Sequence, residues 1–163
     1  MFLFPVLDAN DIEYSDSPAE ISKILSIYKR DMLQGIADGH WYWQILKNVN
    51  ELLEQIYKED DLVLALLTGN MIETAEVKLT NAGVKVDFFK TVYEGSEKLL
   101  GGFGSDNMNR PTIVKIAMDR IRKLFDFEIP NENFLIIGDT PKDIYCGHAN
   151  TIPVLAVATG IYR

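Results

Sequence analysis

Two aspartates, Asp139 and Asp143, bracket Thr140-Pro141-Lys142 directly after the apolar run Phe134-Leu135-Ile136-Ile137-Gly138. Carboxylates are hard oxygen donors, and one or two of them suit Mg²⁺, which keeps part of its hydration shell. The Ile-rich run reads as a strand buried on both faces, as in a parallel sheet. Proline is favourable at the first helical position, so Thr140 is expected to cap a helix that starts at Pro141. The two carboxylates then stand at the carboxyl end of a strand, where open α/β sheets bind their ligands. A plain strand–turn–helix joint with an acid in the cap has the same pattern. Other residues must decide between the two.

Two further stretches carry groups that suit an anion. Thr68-Gly69-Asn70 follows the apolar run Leu62 to Leu67. A hydroxyl beside the free amides that open a helix attracts negative charge, because the N–H groups and the helix dipole point at the ligand. Thr68 as a simple helix cap is the alternative. Arg110, just before Pro111, offers a cation; a solvated surface arginine is the ordinary fate of that residue type. Gly101-Gly102-Phe103-Gly104-Ser105-Asp106 is expected to be a backbone-permissive turn. His40 and His148 have no ligand-like spacing, Cys146 reads as a small core residue, and Trp41-Tyr42-Trp43 reads as packing.

The elements that must position these groups alternate between strand and helix. Runs near 62–67, 134–137 and 153–158 are expected to be adjacent strands of one parallel sheet, with Thr68 and Asp139 at the same edge. Ile21, Ile24, Leu25, Tyr28, Met32 and Ile36 recur at helical spacing after Pro18. A second stripe runs from Ile45 through Val49 and Leu52 to Ile56. Further helices are predicted from Ile72 to Ala82 and from Pro111 to Phe125, with Ile113, Ile116, Ala117, Ile121, Leu124 and Phe125 facing the core. Residues 84–89 read as a short strand and Lys90 to Leu100 as an exposed excursion without period. Residues 1–7 read as a short strand weakened by Pro5, which lacks a ladder donor. The alternation predicts an α/β fold with a doubly wound parallel sheet.

Composition narrows the partners. The 163 residues, 47% apolar and 25% charged, suffice for one globular domain with its own core. A net charge of -8 argues against nucleic acid, whose recognition runs on clustered Lys and Arg. A small phosphorylated metabolite stays compatible, because a metal ion and a local cation can meet its charge. No apolar run approaches a membrane span. One cysteine excludes an internal disulfide and fits a reducing, cytoplasmic setting.

The chain resembles the haloacid dehalogenase superfamily, and within it the phosphoglycolate-phosphatase-like hydrolases. The residues carrying the resemblance are Leu66-Leu67-Thr68-Gly69-Asn70, Phe103-Gly104-Ser105-Asp106, Arg110-Pro111, and Ile137-Gly138-Asp139-Thr140-Pro141-Lys142-Asp143 through Val157-Ala158-Thr159-Gly160. The resemblance spans residues 45 to 163. It implies phosphoryl transfer from a small phosphomonoester through an aspartyl-phosphate, with Mg²⁺ as cofactor. It makes Thr68, Gly69, Asn70 and Arg110 phosphate-binding and Asp139 and Asp143 metal-binding. Thr68, Arg110, Asp139 and Asp143 form its catalytic set. Arg110 stands where the family usually has lysine, which keeps the charge and changes its reach. Residues 19–57 resemble the closing helices of a cap, and 1–163 reads as a single domain of this type.

One departure concerns the nucleophile. The family places it in an Asp-x-Asp motif at the end of the first strand, and no such motif precedes Thr68. Two readings stay open. In one, Asp8 of Asp8-Ala9-Asn10-Asp11 is a degenerate nucleophile and Asn10 replaces the general acid/base. In the other, the chain begins inside the cap region and the nucleophile motif is missing.

Overall fold

The computed structural model describes residues 17–93 and 95–159. The expected strand at 1–7, the candidate nucleophile Asp8 and its neighbour Asn10 lie outside the described residues. The chain divides into two compact units, Met1–Leu64 with Asn70–Phe88, and Ala65–Gly69 with Phe89–Arg163.

The first unit is helical among its described residues. Helix α1 (Pro18–Ala37) starts with Pro18 at its first turn, and the Ser17 side chain accepts the Glu20 N–H. Every residue of the predicted stripe is buried or half-buried, whereas Ile27 and Leu33, off the stripe, are exposed. Helix α2 (Val49–Tyr57) begins later than its apolar stripe predicts, behind Asn48 in the left-handed region. The Ile45 N–H donates to the Ala82 carbonyl at 2.9 Å instead of entering the helix. Asn50 fastens α2 to the segment after helix α3 (Ile72–Asn81), donating to Gly83 O and accepting from Lys85 N. Trp41 packs against Tyr28 and, edge-on, against Trp43. The predicted strand at 84–89 is instead a 3₁₀ turn, Val86–Phe89.

The second unit holds the strands. Strand β1 (Leu66–Leu67) pairs in parallel with β4 (Gly101–Gly102), and β5 (Ile136–Gly138) pairs in parallel with β6 (Val154–Ala156). Strands β2 (Lys90–Tyr93) and β3 (Ser96–Leu99) form an antiparallel pair where an aperiodic excursion was expected. Helix α4 (Arg110–Phe125) and helix α5 (Pro141–Ala149) complete the unit. Val114 and Met118 of α4, Ile136 of β5, Cys146 of α5 and Ile152 form one core cluster. Leu67, Phe134 and Val154 pack on it. This cluster brings both parallel pairs onto the same two helices.

The structure departs from several of these expectations. The runs at 134–137 and 153–158 do yield adjacent parallel strands, but β1 pairs with β4, and among the described residues no pairing joins β1 to β5. The described strands form two-stranded sheets, two of them parallel, and by themselves do not make up the continuous doubly wound sheet that is expected. The predicted turn at 101–106 begins with that unexpected strand. Gly101 (φ 148) lies so close to β1 that a Cβ would overlap the Leu66 carbonyl, so only glycine allows the pairing. With a partner two residues long, the apolar run from Leu62 forms ladder only at 66–67. The Ile-rich strand is buried on one face alone: Ile136 is 8% exposed and Ile137 52%, because both helices lie on the Ile136 side. Phe125, at the last position of α4, is exposed instead of facing the core.

Candidate phosphate and metal site

Asp143 is held on the first turn of α5 by the chain just before it. Its Oδ2 accepts the Thr140 hydroxyl at 2.7 Å and the Thr140 N–H at 3.1 Å, and its own N–H donates to the Thr140 carbonyl. This is the reciprocal N-terminal arrangement that Thr-x-x-Asp favours. Gly138 makes room for it, since a Cβ there would fall 2.6 Å from the Asp143 carboxyl carbon. Asp143 Oδ1 accepts Arg110 Nη2 at 2.8 Å. With a side chain 8% exposed, Asp143 is a buried charge met by one cation and two local donors.

Arg110 reaches that carboxylate from the first turn of α4. Asn109 caps the helix, its Oδ1 accepting the Thr112 N–H at 3.1 Å and the Thr112 hydroxyl at 3.2 Å. The guanidinium is 31% exposed, and its Nε is buried without a hydrogen-bond partner. A Cβ on Gly69 would meet Arg110 Nη1 at 3.6 Å, so the backbone after β1 lies beside the cation. Cys146, fully buried one turn along α5, lies under the pair. Burial pushes its thiol up, Arg110 opposes this and Asp143 adds to it.

The structure thus brings Gly69, Arg110 and Asp143 together within the second unit. Thr68 follows β1 directly, half-buried, with its N–H on the Gly102 carbonyl at 3.0 Å. Asp139 follows β5 directly and is half-buried. Asn70 belongs to the first unit, where its Oδ1 accepts Lys78 Nζ at 2.7 Å. Among the described residues no cluster of three His, Cys, Asp or Glu could hold a metal ion. Both Asp143 oxygens are engaged, by Arg110 and by Thr140, and Asp139 is the more accessible of the two carboxylates.

Sequence reasoning missed three parts of this arrangement. The reciprocal bonding of Thr140 and Asp143 was legible as Thr-x-x-Asp ahead of a helix. The need for glycine at 138 and the contact of Cys146 with Arg110 depend on how α4 and α5 pack, and no local pattern announces them.

A family model described as haloacid dehalogenase-like hydrolase matches residues 9–157 of the chain. The chain belongs to that family. Haloacid dehalogenase-like hydrolases have an α/β, Rossmann-like fold and generally use Mg²⁺. The parallel pairs with α4 and α5 are this chain's described part of that architecture. No curated protein matches the chain. Among the described residues no helix is long and apolar enough to cross a membrane.

Proposed function

We propose that this haloacid dehalogenase-like chain carries the phosphate and Mg²⁺ site of a phosphomonoester hydrolase that works through an aspartyl-phosphate on a small phosphorylated metabolite. The observation that carries this reading is the Arg110 guanidinium on the buried Asp143 carboxylate with the Gly69 backbone beside it. A fixed cation beside the backbone at a strand end suits the oxygens of a transferring phosphoryl group. Thr68 and Gly69 bind those oxygens, with Asn70 next to them in the chain, and Arg110 neutralises their charge. Asp139 and Asp143 would hold Mg²⁺, which would supply positive charge to screen the phosphate from an attacking carboxylate. Asp143 also orients Arg110. The single cysteine and the net charge of -8 fit a cytoplasmic protein with a small-molecule partner.

Asp8 is the nucleophile in this reading. Its carboxylate attacks phosphorus, the ester P–O bond breaks, and the leaving alkoxide takes a proton from solvent water; a further water then cleaves the acyl phosphate, restoring the carboxylate and releasing inorganic phosphate. Asn10, in the position of the general acid/base, has no proton to exchange. Such proton transfer typically contributes about 10²–10⁴-fold, so turnover of simple phosphomonoesters is expected near background. Asn10 equally favours a second reading, a phosphate- and metal-binding relative without catalysis. An assay of the purified chain against its Asp8→Asn and Asp139→Asn variants at saturating Mg²⁺ separates them. Slow turnover lost in both variants supports the hydrolase. Turnover indistinguishable from background in all three supports the binding relative. Robust turnover that Asp8→Asn leaves untouched contradicts the assignment of the nucleophile.

A further inference from the structure

Arg110 enters the site on the first turn of α4, and the residues that set that turn in place lie on either side of it in sequence. Asp106 and Arg120 form a two-bond fork, Nη1 to Oδ2 at 2.6 Å and Nη2 to Oδ1 at 2.7 Å. The Asp106 side chain is 14% exposed and that of Arg120 31%. The same Oδ2 accepts the Phe103 N–H at 2.8 Å, and the same Nη1 donates to the Gly101 carbonyl at 2.8 Å. The fork therefore ties together β4, the turn at 103–106 and the body of α4. Only Asn107, Met108 and Asn109 separate Asp106 from Arg110. Asn107 Oδ1 accepts the Asn109 N–H at 2.8 Å, and Asn109 caps α4, so this short path is braced along its length. Because β4 is paired to β1, the same fork sets the start of α4 relative to the strand that leads into Thr68 and Gly69.

We propose that Asp106 and Arg120 are positioning residues for Arg110, holding its guanidinium against Gly69 and Asp143 so that it can meet a phosphoryl group. The proposal rests on the reading of Arg110 as the phosphate-facing cation. A cap satisfies the free N–H groups of a helix start but leaves the helix free to tilt. A guanidinium–carboxylate fork fixes direction as well as distance. Lysine in place of Arg120 keeps a charge and loses the fork, so it is not expected to substitute.

The test uses the whole chain and two readouts. The first is the Arg110 Nε–H signal in ¹⁵N NMR, identified by its loss in Arg110→Lys. The second is the affinity for inorganic phosphate with Mg²⁺ present. In Asp106→Asn and Arg120→Lys the Nε–H is expected to exchange about tenfold faster, and phosphate affinity to fall about tenfold, the scale of one lost charged hydrogen bond. Ile152→Val, which loosens the same core away from the fork, is expected to lower Tm and leave both readouts at wild-type values. Unchanged Nε–H exchange in both fork variants, alongside a lowered Tm, would overturn the proposal and make the pair merely structural. If the wild type binds no phosphate, the functional reading falls, and the Nε–H signal alone still decides the positioning role.

Discussion

The Arg110 guanidinium and the Asp143 carboxylate meet at 2.8 Å, each on the first turn of a helix that follows a parallel strand. The contact joins the start of α4, which comes after β4, to the start of α5, which comes after β5. It also occupies the Asp143 oxygen that the Thr140 hydroxyl and amide leave open. The structural role and the proposed metal-binding role therefore fall on one side chain.

Removing one partner should be costly. A fully buried charge left without its partner costs about 3–5 kcal/mol; with Arg110 31% exposed, about 2–3 kcal/mol is expected for Asp143→Ala. Urea unfolding of Asp143→Ala against wild type measures it. A loss below about 0.5 kcal/mol, the scale of an exposed pair, would contradict the burial of this contact.

Gly138 should tolerate no side chain. Alanine there puts a Cβ 2.5 Å from the Asp143 Cβ, and α5 must shift or the Thr140–Asp143 bonds must break. Overpacking of this kind costs about 1–3 kcal/mol. Gly138→Ala is expected to lose that much in urea unfolding and to weaken Mg²⁺ binding as well. Wild-type stability would mean that α5 adapts freely.

The Asp139–Asp143 joint was legible because its chemistry is local. Gly138 ends the strand, Thr140 caps, and Pro141 opens the helix, each by its own conformational preference. The stripe of α1 was legible for the same reason, since side-chain spacing alone decides it. The pairing of Leu66–Leu67 with Gly101–Gly102 was not, because a strand of two glycines has no side-chain pattern and is defined by how closely it can be approached. The second helix starts late because Asn48, with φ 67, takes the left-handed conformation and breaks the helical path after Ile45. The Asp106–Arg120 fork depends on the turn at 103–106 folding back on α4, which no spacing rule reports.

Cys146 should behave as an inert, neutral thiol in the folded protein. Burial raises its folded pKa above the unfolded value of about 8.5. A raised value means that its contribution to stability is complete below about pH 8.5 and is lost as pH rises through the folded pKa. Native protein at pH 8 is expected to resist iodoacetamide, and protein in denaturant to react. The fall in urea midpoint between pH 7 and pH 9.5 is expected to be smaller in Cys146→Ala. Rapid alkylation of the native chain would contradict the burial of the sulfur.

Calorimetric titration of inorganic phosphate into the purified chain, with and without Mg²⁺, tests the proposed site most directly. The account predicts binding that needs Mg²⁺ and that weakens by about tenfold or more in Arg110→Met and in Asp139→Ala, as expected when a charged contact to the ligand is removed. Phosphate affinity that is the same with and without Mg²⁺, and the same in wild type and both variants, would contradict it.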